Sequence, residues 1–145
     1  MRLVVQRVGM AAVSVDGEVV GQIGPGLCVL VGITHDDTTE TANKLAEKLV
    51  KLRIFGDDGD KMNLSVKDVE GEILLISQFT LYGDAKKGNR PSFIDAARPE
   101  HAQPLFTDFV EKVALSGVPV ATGQFGAEMK VMIANDGPVT LLLEA

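Results

Sequence analysis

A chain of 145 residues, 46% hydrophobic and 23% charged, has the size of one domain with one substantial core, so a single domain over 1–145 is expected. No apolar stretch approaches the ~20 residues of a membrane span, and the apolar run Leu3-Val4-Val5 is too short for a signal core and lacks a small-residue cleavage site, so the protein is expected to be soluble, cytoplasmic and free of membrane. A net charge of −6 and a pI near 4.8 argue against non-specific nucleic-acid binding, which depends on Lys and Arg displacing counterions from phosphates.

In chain order, residues 2–8 and 11–15 read as strands, with Asp16-Gly17 as a hairpin turn before Glu18-Val19-Val20. Gly24-Pro25-Gly26 breaks the chain ahead of the continuous apolar run 27–33, which suits a strand buried on both faces. The single cysteine, Cys28, falls inside that run. It has no partner for a disulfide or a metal site and reads as a buried thiol. A first helix follows, with Asp37 or Thr38 as N-cap, Glu40 in the first turn, and Ala42, Leu45, Ala46, Leu49 and Val50 at helical spacing to about Arg53.

Residues 55–71 are rich in Gly and Asp, and the run 72–81 then has the length and composition of a central strand. A polar loop covers 82–92. The second helix, about 99–115, carries Ala102, Leu105, Phe106, Phe109, Val110 and Val113 on one face and ends at Gly117. Pro99 suits its first turn, and Pro104 marks an alternative start. Two strands, about 128–134 and 139–144, close the chain around Asn135-Asp136-Gly137-Pro138. This order predicts an α+β fold: a mostly antiparallel or mixed sheet curled toward a barrel and covered by helices.

The catalytic inventory is thin. His35 and His101 have no His-x-x-x-His spacing and no cysteine partner, so zinc has no support. Asp57-Asp58-Gly59-Asp60 invites calcium, but Lys61 and Met62 stand where that pattern needs oxygen ligands or glycine. No dinucleotide fingerprint and no phosphate loop occurs, so neither metal nor cofactor is expected. The segment Lys86-Lys87-Gly88-Asn89-Arg90, with Arg98 downstream, reads first as a solvated loop and is the one local candidate for an RNA contact. Two features are odd on physical grounds. Ser77-Gln78-Phe79-Thr80 puts three hydrogen-bonding side chains at the end of an apolar strand, where they need structural or ligand partners. Gly137-Pro138 sits between two apolar strands, where the dipeptide alone signals a plain turn.

At these residues the chain resembles the D-aminoacyl-tRNA deacylases. The likeness runs from end to end: Gln6-Arg7-Val8, Arg53-Ile54-Phe55 with Lys61-Met62-Asn63, Ser77-Gln78-Phe79-Thr80-Leu81, Gly88-Asn89-Arg90-Pro91-Ser92-Phe93, Gly123-Gln124-Phe125-Gly126-Ala127-Glu128-Met129, and Asn135-Asp136-Gly137-Pro138-Val139-Thr140. Asp60 departs from the glycine common before Lys-Met-Asn in that family.

The resemblance implies a homodimer with active sites at the subunit interface. It would use no metal or cofactor to hydrolyse the ester between a D-amino acid, or glycine, and the tRNA 3′ adenosine. It implies that Ser77, Gln78, Phe79 and Thr80 line the pocket floor, and that Gly137-Pro138 is a cis peptide reaching into the partner's pocket with Arg7 helping to hold it. Phe125 and Met129 would flank the cleft for the 3′ end. Thr80 is the obvious side-chain nucleophile but has no adjacent base in sequence, which favours water assisted by the tRNA 2′-hydroxyl. A sister family that edits L-alanine, a non-catalytic module binding RNA ends, and an editing domain that works only when fused to a synthetase are the alternatives. Phe79 and Gly137-Pro138-Val139-Thr140 favour the D-specific branch.

Overall fold

The computed structural model describes residues 1–145. Its spine is β1 (Arg2–Val15), one strand where the sequence suggests two. The apparent break near Gly9 is a place where the register against a neighbouring strand shifts twice, between Gln6 and Val8 and between Val8 and Met10. Such bulges bend a strand without ending it.

One edge of β1 pairs antiparallel with β2 (Glu18–Ile23) along residues 11–15 and with β3 (Gly26–Gly32) along residues 2–8. After β3 the chain makes α1 (Thr39–Lys51), capped by Thr38 rather than Asp37 through a reciprocal box with Thr41. A small antiparallel ladder follows, β4 (Phe55–Gly56) on β5 (Met62–Leu64). Then β6 (Glu72–Ser77) lies parallel to β3. The strand expected over 72–81 therefore stops at Ser77, where the polar residues begin, and Phe79–Tyr82 forms a 3₁₀ turn instead.

The second helix, α2 (Pro99–Leu115), starts at Pro99 and tolerates Pro104 within its body. It leads to β7 (Val120–Thr122), parallel to β6. Three residues are too short to leave a periodic signal, so β7 was not expected. The last strand, β8 (Lys130–Glu144), runs as one element through the 135–138 turn region and pairs with the free edge of β1. Both parallel connections run through a helix, as a crossover requires.

The sheet order is β2-β1-β3-β6-β7, and its two ends meet. A Cβ on Gly21 of β2 would stand 2.6 Å from the Thr122 carbonyl of β7, so only glycine permits this approach. The sheet is thereby curled nearly into a barrel. Its strands bury both faces by simple alternation: Leu27, Val29, Val31, Ile73 and Leu75 face the helices in one core, while Cys28, Leu74 and Ile76 join Val8, Ala11, Val13 and Ile23 inside the curl. The helix-facing core takes Leu45, Leu49, Phe106 and Phe109 from α1 and α2. No helix is long and apolar enough to cross a membrane.

Candidate active site

In sheets of this kind, ligands bind beyond the carboxyl ends of parallel strands. Those of β3 and β6 end together, Val31 opposite Ser77. The Gln78 N–H still donates to the Val31 carbonyl at 2.8 Å, and the chain then leaves the sheet for the 3₁₀ turn. Arg2 fastens that turn from the side: its Nη1 donates to the Leu81 carbonyl at 2.9 Å and its guanidinium lies 4.5 Å from the centre of the Tyr82 ring. Burial, seconded by the Asp37 charge, pushes the Tyr82 phenol up to about 12.

Beside the turn opens a cavity of about 520 Å³, mostly hydrophobic, into which Ser77, Gln78, Phe79, Phe125 and Met129 all face. The volume and lining fit a flat heterocycle or an amino-acid side chain. Thr80 stands just outside, exposed, and its hydroxyl accepts a hydrogen bond from Gln78 Nε2 at 2.7 Å. The main-chain N–H groups that open a 3₁₀ turn have no partners within it, and those of Phe79 and Thr80 donate to no other main-chain carbonyl.

The opposite wall is a segment to which sequence reasoning gave no role. Phe93, Ala96 and Ala97 line the cavity, and Phe93 meets Phe79 edge to face with centroids 5.3 Å apart. The wall is tied to the end of β3: Ala97 N–H donates to the Ile33 carbonyl at 2.9 Å, Thr34 Oγ1 to the Asp95 carbonyl at 2.5 Å, and His35 Nε2 to the Ile94 carbonyl at 2.6 Å. His101 Nε2 likewise donates to the Asp37 carbonyl at 2.9 Å. Both histidines serve as structural ties. The available signal for this wall was Phe93, a lone aromatic in a polar loop.

The remaining site residues form a separate group. Gly137-Pro138 is a cis peptide. Arg7 grips the turn before it, with Nε donating to the Asp136 carbonyl at 3.3 Å, the Asp136 carboxylate 3.5 Å away, and Nη1 donating to the Ile54 carbonyl at 2.8 Å. Asn135 Nδ2 bridges the Arg7 and Val139 carbonyls at 3.0 Å each. Neither Arg7, Gly137 nor Pro138 lines the cavity of its own chain.

Asp57 is committed to its own loop. It accepts from Asn63 Nδ2 at 2.6 Å and from the Gly59 and Lys61 N–H groups, and these donors, Asn63 first, hold its carboxyl below the usual range. Nowhere do three His, Cys, Asp or Glu side chains converge as metal ligands would.

A solved structure titled "c-Myc DNA Unwinding Element Binding Protein" superposes with a TM-score of 0.94 at 43% identity, covering 100% of this chain and 99% of that one. A second, titled as a probable eukaryotic D-amino acid tRNA deacylase, shares the fold with a TM-score of 0.83 at 19% identity, over 98% and 97% of the two chains. A D-aminoacyl-tRNA deacylase of Chloroherpeton thalassium is 60% identical over 146 residues, covering 100% of this chain and 96% of the relative. One of Bacillus thuringiensis is 58% identical over 145 residues, covering 100% and 99%. Residues 4–144 match the family model described as D-Tyr-tRNA(Tyr) deacylase, a span that includes Arg7, the 77–80 segment, Phe125, Met129 and Gly137-Pro138, and with identity this high over the full length the chain belongs to that family.

Proposed function

We propose that this protein hydrolyses the ester joining a D-amino acid to the 3′ adenosine of tRNA, releasing the free D-amino acid and tRNA in the cytoplasm, and that it also clears glycine mischarged on the alanine tRNA. Family membership supports the reaction class. The observation that carries the chemistry is the seat of Ser77, Gln78 and Phe79 in one apolar cavity, with main-chain donors at Phe79 and Thr80 that no carbonyl of the chain occupies.

An aminoacyl ester is already activated, so catalysis needs little beyond orientation and donors aimed at the developing oxyanion. A water adds to the carbonyl carbon, its proton passing to the neighbouring 2′-hydroxyl, while the N–H groups near Phe79 and Thr80 receive the oxyanion. The intermediate then collapses, expelling the ribose 3′-oxygen, which takes a proton with help from the neighbouring 2′-hydroxyl. Phe125 and Met129 flank the terminal adenosine.

The proposal extends to a homodimer. Within one chain the Gly137-Pro138 turn does not line the cavity, yet it stands exposed, and β8 on either side of it shows Met132 and Leu142 to solvent. A second copy covering that apolar face would bring its turn to this cavity. There the main-chain oxygens of Gly137 and Pro138 would hold the substrate's ammonium and leave no space for an L side chain, which rejects L-aminoacyl-tRNA whatever its side chain.

The test is hydrolysis of labelled D-Tyr-tRNA and L-Tyr-tRNA by the purified protein, with and without EDTA. Rapid release from the D-form alone, unaffected by chelator, is expected. Equal rates on the two forms, or loss of activity in EDTA, overturn the proposal.

A further inference from the structure

We propose that the 84–92 hairpin is a built phosphate-gripping arm, which holds the phosphodiester backbone of the nucleotides leading into the cavity through Lys86, Lys87 and Arg90. The inference rests on the deacylase reading and specifies where the RNA backbone is held.

Its base is fixed to the cavity wall. Asp84 and Ser92 exchange main-chain hydrogen bonds of 2.7 and 2.8 Å, and Asp84 Oδ1 accepts from the Lys86 N–H at 2.9 Å, which closes the first turn. Directly below, Gly83 lies so close to Phe93 that a Cβ there would stand 2.8 Å from its ring. Phe93 itself lines the cavity against Phe79. The arm is therefore continuous with the site.

Its tip concentrates charge that nothing in the chain neutralises. Lys86, Lys87 and Arg90 are exposed. The ion pairs of the chain lie elsewhere, at Met1–Asp37, Arg2–Glu144, Arg7–Asp136, Arg98–Glu100 and Lys112–Glu47. The one acid within the hairpin, Asp84, spends an oxygen on the Lys86 N–H. In a protein of net charge −6, three free cations on a hairpin joined to the cavity wall make a local positive field against a net charge that repels phosphate. Four residues from base to tip reach at most roughly 14 Å, so the arm serves the 3′-terminal nucleotides. The rival basic surface, Lys44, Lys48 and Lys51 on α1, shares its cleft with Glu47 and Glu144, which cancel part of its field.

The test is fluorescence anisotropy with uncharged tRNA across a salt series, for the wild type, K86A/K87A/R90A and K44A/K48A/K51A. Because each lost contact to single-stranded RNA lowers the slope of log K against log salt by about 0.7, the hairpin variant should bind at least tenfold more weakly at low salt. Its slope should be shallower by roughly 2, and the α1 variant should match the wild type. An unchanged affinity and slope in the hairpin variant, or the loss appearing in the α1 variant instead, overturns the arm. Hydrolysis of 3′-O-D-tyrosyl-adenosine, which has no phosphate, separates the two readings. The hairpin variant should keep the wild-type rate, and an equal loss there makes the hairpin part of the cavity and overturns the arm. Failure of the wild type to cleave either ester counts against the deacylase reading, while the binding data still decide the arm.

Discussion

Gln78 Nε2 donates to the hydroxyl of Thr80 across 2.7 Å. A primary amide cannot take a proton from a hydroxyl, so the partner that Thr80 has is the wrong kind to make it a nucleophile, which normally needs an adjacent base or a lowered pKa. The pair instead reads as a polar clamp that fixes the entry to the 3₁₀ turn.

Thr80→Ala is therefore expected to slow single-turnover hydrolysis of D-Tyr-tRNA by at most roughly 10²–10³-fold, the scale of one lost polar contact in a site. Thr80→Ser should stay near the wild type. A loss on the order of 10⁶, or an acyl-enzyme trapped on Thr80, would establish covalent catalysis.

The elements that organise this site differ in how much of them the sequence carries. The strand buried on both faces was readable from the run 27–33, because β3 sends Leu27, Val29 and Val31 to one core and Cys28 to the other. The end of β6 was not readable. Leu81 continues the apolar run, and only the hydrogen bonding of Gln78 and the geometry of the turn stop the strand at Ser77. β7 and the wall 93–97 are held by contacts distant in sequence, such as Ala97 on Ile33, so no local pattern announces them. The bond from Arg7 to Asp136 across 129 residues has no local signature either; the family likeness implies only that Arg7 helps hold Gly137-Pro138.

Asp37 is the one buried charged side chain, at 5% exposure. Its Oδ1 accepts from the Met1 ammonium at 2.6 Å and its Oδ2 from the Thr34 N–H at 2.7 Å. Removing one partner of a buried pair leaves an uncompensated charge, so Asp37→Asn should cost about 3–5 kcal/mol of stability. Urea unfolding monitored by circular dichroism is the check, and a cost below about 1 kcal/mol would mean that water reaches this pair.

Cys28 gives a pH dependence with a definite sign. Burial pushes its thiol up to about 11, against ~8.5 for an unfolded thiol. The folded state thus holds a proton that the unfolded state has released, so the contribution to stability is full below ~8.5 and is lost as pH rises through about 11. Between pH ~8.5 and ~10, before the Tyr82 phenol adds its own loss, stability should fall by up to about 1.4 kcal/mol per pH unit. Cys28→Ala should lack that component, and the folded wild type should resist alkylation at pH 8. Parallel pH slopes for the two proteins would exclude the thiol as the cause.

Arg7 supplies the sharpest test of the selectivity proposal, because its side chain is only 17% exposed and every bond it makes is to the chain's own turn or to Ile54. Arg7→Ala leaves the Ile54 carbonyl unpaired, at about 1–3 kcal/mol, and releases Asp136, while Asn135 still pins both flanks of the turn through the Arg7 and Val139 carbonyls. The fold should therefore survive with its turn loosened at one end. Arg7→Lys keeps the charge but loses the forked geometry that reaches both carbonyls, so it should fall between the wild type and Arg7→Ala. If the turn acts in a neighbouring cavity, the ratio of kcat/KM for D-Tyr-tRNA over L-Tyr-tRNA should drop at least tenfold in Arg7→Ala, an effect that a merely less stable protein would not show at temperatures where it remains folded. A ratio that stays at the wild-type value while the melting temperature falls would make Arg7 a structural residue alone and remove the turn from the chemistry of chiral selection.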